Sequence, residues 1–232
     1  MRCPLCRPIS LLQLTALLLL LLSVTSCNAQ SGSNPPAEKD APLRIDGWLN
    51  ISIPGICRFQ APPTMEIQGG EYKKVKEAIL DVFELPGGAD LILQQKGLND
   101  LDSKARERYC RILVNTSNGA EGEFFPLGEK PSVTKADLQE YDRESRKLIE
   151  QQFTILDWYP TTVEKINGFY ALKTSYRRSL KSAMNPVVVT IYNIHNHRML
   201  HAVTASYRES ETELWKADPD RVIKTFEFER QK

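Results

Sequence analysis

All three histidines of the chain fall in one short segment: His195, His197 and His201. Imidazole is the commonest ligand for transition metals, and a His-x-His pair on a strand puts both rings on one face. His201 shares that parity if the strand runs straight through. Asn193 to Arg198 is polar, however, and separates two apolar runs, so it reads as a hairpin tip, where parity is lost. No Asp, Glu or Cys stands within it to complete a coordination shell. The expectation is a solvated turn with no resident metal, and a metal site on these three residues is the alternative.

Other spacings carry less. Ser132-Val133-Thr134-Lys135 has a Ser-x-x-Lys pattern, but the partner motifs of that chemistry are missing and the same residues suit a helix start. Arg177-Arg178, Arg198 and Arg208 accompany Tyr176, Tyr192 and Tyr207 in the late strands. Together they could line a groove for an anionic or sugar ligand; the plainer reading is strand positions facing water. Asn50-Ile51-Ser52 and Asn115-Thr116-Ser117 are glycosylation sequons, which matter only in a eukaryotic source. No HExxH, GxSxG, P-loop, GxGxxG or EF-hand loop occurs. General acid–base work would fall to carboxylates, and no pair stands out. No cofactor is implied.

The N-terminus says more than any of these. Arg2 and Arg7 precede a mostly apolar run from Ile9 to Leu22 that ends in consecutive leucines, and then Val24-Thr25-Ser26-Cys27 follows. A basic start, an apolar run and small residues before a cut site make a secretory signal. The run is short for a bilayer span, which takes about 20 apolar residues. Cys3-Pro4-Leu5-Cys6 has redox or zinc spacing but sits inside this signal.

The residues around Cys27 resemble the lipobox of bacterial lipoproteins. The resemblance implies cleavage between Ser26 and Cys27, a diacylglyceryl group on the Cys27 thiol and acylation of the new amino terminus. Several acyl chains anchor stably where one is marginal. It implies a lipid-anchored protein of the bacterial cell envelope with the membrane as a partner. Asn28 is not the Asp that retains such proteins at the inner membrane of enteric bacteria, which favours the outer membrane. Plain secretion, with Cys27 incidental, and an uncleaved anchor are the alternatives.

Segment 28–43 has two adjacent prolines, small polar residues and no aromatic side chain, the composition of a flexible tether. Residues 44–232 fit one domain. Formal charge over the whole chain is +1, so nothing draws it to nucleic acid. Past Cys27 only Cys57 and Cys110 remain. Both sit in apolar, strand-like contexts, which favours buried thiols over a disulfide.

Alternating and β-branched segments predict strands at Trp48–Ile53, Ile56–Gln60, Thr64–Gln68, Ala89–Lys96, Tyr109–Asn115, Phe153–Trp158, Val163–Arg177, Val187–Tyr192 and Leu200–Tyr207. Breaks are expected at Tyr159-Pro160 and at the hairpin signal Asn167-Gly168, and the polar stretch Asn99 to Arg108 is expected to be a plain connection between the fourth and fifth of these strands. Tyr72–Phe83 carries a helical stripe. The clearest helix begins after Pro131, with Thr134 as its cap, Asp137 completing a capping box, and Leu138, Tyr141, Leu148, Ile149 and Gln152 on one face. Asp218-Pro219 reads as a cap and first helical position. The fold class is α+β, mostly antiparallel sheet flanked by helices.

From Trp158 onward the order of elements resembles the PsbP-like α/β/α sandwich. The carrying features are Asn167-Gly168-Phe169-Tyr170, the strand ends Tyr176-Arg177 and Ser206-Tyr207-Arg208, and a closing element with Trp215 and Val222 to Phe226. The resemblance implies a fold and no site residue. A non-enzymatic envelope protein that binds another envelope protein or aids an assembly is the expected function. A small-ligand or metal-binding lipoprotein, and an envelope hydrolase without a recognisable motif, are the alternatives.

Overall fold

The computed structural model describes residues 42–74, 89–121, 123–180 and 183–230. Residues 1–41, with the signal, Cys27 and most of the tether, lie outside them.

Among the described residues ten strands form two antiparallel sheets. β1 (Leu49–Ile53), β2 (Cys57–Ala61) and β10 (Glu227–Phe228) make a small sheet in the order β1-β2-β10. The larger sheet takes β3 (Met65–Ile67), β4 (Leu91–Gln95), β5 (Cys110–Asn118), β6 (Phe153–Ile166), β7 (Phe169–Leu180), β8 (Ala183–Asn196) and β9 (Met199–Arg208), ordered β3-β4-β5-β9-β8-β7-β6. The α-helices with both ends among the described residues are α1 (Ser103–Arg106), α2 (Lys135–Gln152), α3 (Thr212–Trp215) and α4 (Ala217–Ile223). The class is α+β, as the strand and helix patterns imply. No helix among the described residues is long and apolar enough to cross a membrane.

The core lies between the two sheets and beneath α3 and α4. Phe59 of β2 stacks on Phe226 at 4.3 Å between ring centroids. Ile112, Val114, Ile194 and Val203 from the large sheet and Val222 from α4 join them, each almost fully buried. Burying a side chain of this size stabilises by roughly 1.5–3 kcal/mol. Cys57 and Cys110 are both free thiols in this core. Burial, then the carboxylates of Asp90 and Glu229, pushes the Cys57 thiol up to about 12, and burial also raises that of Cys110.

α2 lies on the other face of the large sheet. Its capping box forms as the sequence predicts: the Asp137 N–H donates to the Thr134 hydroxyl oxygen at 3.2 Å, and Asp137 accepts from the Thr134 N–H at 2.8 Å. The bond from the Thr134 N–H, and a second from the Thr134 hydroxyl at 2.9 Å, hold the Asp137 carboxyl below its usual range. Ser132 and Lys135 therefore belong to a helix entry. Between β6 and β7, Asn167 and Gly168 take φ of +46° and +79°, the two-residue turn that the Asn-Gly pair favours.

Four expectations change. β6 does not stop at Tyr159-Pro160 but runs through it, with register shifts between Ile155/Asp157 and Tyr159/Thr162. β6 is an edge strand, where a proline costs no ladder bond and a bulge absorbs it. β8 begins at Ala183, ahead of Pro186, with a register shift against β7 there. α4 starts at Ala217 and continues from α3, and Asp218 accepts from the Thr64 hydroxyl at 2.8 Å instead of capping. The polar connection 99–108 contains α1, capped by Asp102. Residues 70–74 are helical, and the rest of the stripe, 75–83, lies outside the described residues.

Candidate functional site

The histidine segment is not a solvated tip. β8 continues to Asn196 and β9 begins at Met199, so the turn is only His197-Arg198, with His197 at φ +58°. His195 is 7%, Asn196 0% and His201 0% exposed, which corrects the expectation of a solvated turn. His195 pairs with Leu200 and Ile194 pairs with His201, so neighbouring ladder positions place the two imidazoles on opposite faces.

Each ring has a structural task. His195 packs against Phe124 and Phe125, at 5.4 Å from each ring, and its Nδ1 accepts the Phe125 N–H at 3.3 Å. His201 lies 3.1 Å from the Thr116 hydroxyl through Nδ1 and 3.1 Å from the Asn196 amide through Nε2, stacked on Phe228. Asn196 in turn donates to the Glu229 carbonyl at 2.7 Å. Burial pulls both imidazoles down to about 4, so both are neutral at pH 7. The segment's local polarity suggests exposure, but long-range packing of Phe124 and Phe125 and of β10 supplies partners that bury it. Among the described residues no three His, Cys, Asp or Glu side chains are placed to hold a metal.

The arginines do not share a groove. Arg177 pairs with Asp157 and with Glu209, the latter at 2.7 Å, and these carboxylates raise its guanidinium above the ordinary range. Arg178 lies 3.8 Å over the Phe153 ring. Arg208 binds Glu211 at 3.0 Å. Arg198 sits in the turn at the far end of β9 and pairs with Glu121 at 2.8 Å. Tyr176 stacks on Trp158 at 5.3 Å, on the face opposite Tyr192. The alternative reading, a groove lined by Arg177, Arg198 and Arg208, is dispersed, because register sends these side chains to different faces and ends of the sheet.

Two arrangements escaped the sequence. Asp142 of α2 accepts from Trp158 Nε1 at 3.0 Å, from the Thr161 hydroxyl at 2.6 Å and from the Thr161 N–H. It thereby satisfies an outward N–H on the bulged edge strand and joins helix to sheet. The second is a groove of about 430 Å³ on the opposite face, between β6, β7, β8 and α4. Ile166, Ile223 and the nearly buried Tyr192 line it, with Glu164, Lys173 and Asp220. The Lys173 ammonium is 2.9 Å from Glu164 and 5.6 Å from the Tyr192 ring centroid. A spacing pattern within one element could not reveal either, since each needs residues from at least two elements.

Solved structures to which the chain is similar include the following three. The solution structure of cyanobacterial PsbP (CyanoP) from Synechocystis sp. PCC 6803 shares 13% identity over 85% of this chain and 98% of that one, with a TM-score of 0.45. LpqN of Mycobacterium tuberculosis, described as involved in cell envelope biogenesis, shares 10% over 78% and 90%, with a TM-score of 0.45. A structure from Bacteroides thetaiotaomicron shares 9% over 83% of this chain and 50% of that chain, with a TM-score of 0.40. Likeness this distant carries no activity or partner across to this chain. No protein-family model and no curated protein matches it.

Proposed function

We propose that this chain is a lipid-anchored protein of the bacterial cell envelope, held by acyl chains on Cys27, whose folded part is a non-enzymatic binding or assembly-accessory domain. The observation that carries the reading is Val24-Thr25-Ser26-Cys27 after a basic start and a leucine run. The tether that follows separates Cys27 from the first strand at Leu49. A flexible chain of that length reaches roughly 20–25 Å, enough to lift a domain off the headgroups. Asn28 favours the outer membrane. The groups with the most versatile chemistry serve the fold: two histidines are neutral, buried and bonded within the structure, and both core thiols are held in the protonated form.

Expression of wild type and Cys27→Ala in a lipoprotein-processing bacterium, with an alkyne-labelled palmitate, tests the anchor. The wild type takes up label and fractionates with membrane; the variant does neither. Label on both, or on neither, contradicts the proposal. A second reading, a small-ligand-binding lipoprotein, is favoured by the groove beside Tyr192 and not by the histidine segment.

A further inference from the structure

We propose that the pocket between the end of β4, α1 and α3 binds a phosphate-class anion, a free phosphate ester or the headgroup of an anionic phospholipid, on Lys96, Lys104 and Arg108. The three side chains line one pocket of about 270 Å³, with Leu214 and Trp215 beside them. The other polar side chains on this lining are engaged within the fold. Asp102 accepts from the Ala105 N–H at 2.9 Å as the cap of α1. The Thr64 hydroxyl donates to Asp218 at 2.8 Å. The Gln95 amide, 4% exposed, donates to the carbonyls of Ala105 at 3.0 Å and Arg108 at 2.7 Å, and its oxygen accepts from the Cys110 N–H at 3.2 Å. Trp215 Nε1 donates to Glu211 at 2.7 Å.

The Lys96, Lys104 and Arg108 head groups, by contrast, have no ion pair or hydrogen bond among the described residues. Three cations against one carboxylate leave the lining positive. What the pocket offers an incoming molecule is charged N–H donors, three on each ammonium and five on the guanidinium. Cations gathered in one pocket repel one another, and an anion shared by them replaces that repulsion with charge-assisted hydrogen bonds. The backbone under them is fixed: the Lys96 N–H donates to the Thr64 carbonyl at 2.9 Å, and the nearly buried Gln95 amide holds the Arg108 carbonyl. The donors arrive from three places, the end of β4, α1 and the residues after α1. A tetrahedral phosphate offers oxygens in several directions to such donors, and a planar carboxylate does not. Leu214, 45% exposed beside the cations, gives contact to the carbon skeleton of an ester or lipid.

The site does not depend on the anchor, so an unmodified Cys27 would leave this test intact. Titration calorimetry on the full-length protein in neutral detergent micelles uses two probes, glycerol 3-phosphate in solution and micelles doped with phosphatidylglycerol. Saturable binding of at least one is expected: response to the soluble ester assigns a free phosphate compound, and response to the doped micelles alone assigns a lipid headgroup. Lys104→Gln with Arg108→Gln changes two exposed positions, so the variant folds, and it should bind at least about tenfold more weakly. Lys135→Gln with Lys147→Gln removes the same formal charge from exposed positions of α2, on the other face of the large sheet, and should leave binding unchanged. Absence of saturable binding of both probes, unchanged affinity in the pocket variant, or equal weakening in the α2 variant would overturn the assignment.

Discussion

His195 and His201 stand on opposite faces of one hairpin, a single ladder position out of phase with each other. The chain concentrates its imidazoles in sequence and then separates them in space. His195 anchors the loop that carries Phe124 and Phe125, and His201 with Asn196 clamps the C-terminal strand through Phe228 and Glu229.

Stability should fall as the medium is acidified. Both imidazoles titrate near 4 when folded and near 6.5 when unfolded. Below 6.5 the unfolded chain binds more protons, so stability is lost as pH drops from 6.5 toward 4. Between pH 7 and pH 5 the loss is about 2 kcal/mol per histidine. Urea unfolding at the two pH values measures it. His201→Gln removes one group from the titration and should flatten the dependence; an unaltered slope would show that His201 is solvated.

Asp142→Ala should destabilise the protein by about 2–3 kcal/mol, since Trp158 and Thr161 lose a charged acceptor. Asp142→Asn should recover part of the loss, because an amide oxygen still accepts. Near-ultraviolet circular dichroism of Trp158, stacked on Tyr176, should lose intensity in the alanine variant and retain most of it in the asparagine variant. Equal stability of all three proteins would remove Asp142 from its role at the sheet edge.

What the sequence made legible was local. Thr134 and Asp137 cap α2 within one turn, and Asn167-Gly168 closes a hairpin within two residues. Such signals act over short separations and survive any tertiary context. The burial of His201 depends on Thr116 and Phe228, far away along the chain. The pairing of β10 with β2, which completes the small sheet, joins the two ends of the described chain. Pro160 looked like a stop because its place at the edge of the sheet follows from strand order, which no local pattern encodes. The groove needed β7, β8 and α4 to meet before Lys173, Tyr192 and Asp220 became neighbours.

Gly168→Ala tests the turn alone. No atom lies within 4 Å of a Cβ placed there, so the cost is that of φ +79° for an L-residue, roughly 1 kcal/mol. Thermal unfolding should show a drop of a few degrees. A loss several times larger would mean that packing, not backbone conformation, selects glycine.

Cys57 and Cys110 should resist a thiol reagent in the native protein, since burial holds both thiols protonated and shielded. With a chain that begins after Cys27, Ellman's reagent should react with neither thiol at pH 8 and with both in strong denaturant. Rapid native reaction would contradict the core described above.

The proposed tie of this domain to a membrane through fatty chains on Cys27 is tested by mass spectrometry of the digested protein purified from a lipoprotein-processing host. The expected result is an N-terminal peptide that begins at Cys27 and carries a diacylglyceryl group, with or without a further acyl chain. A peptide that retains Ser26 or shows an unmodified Cys27 would contradict it.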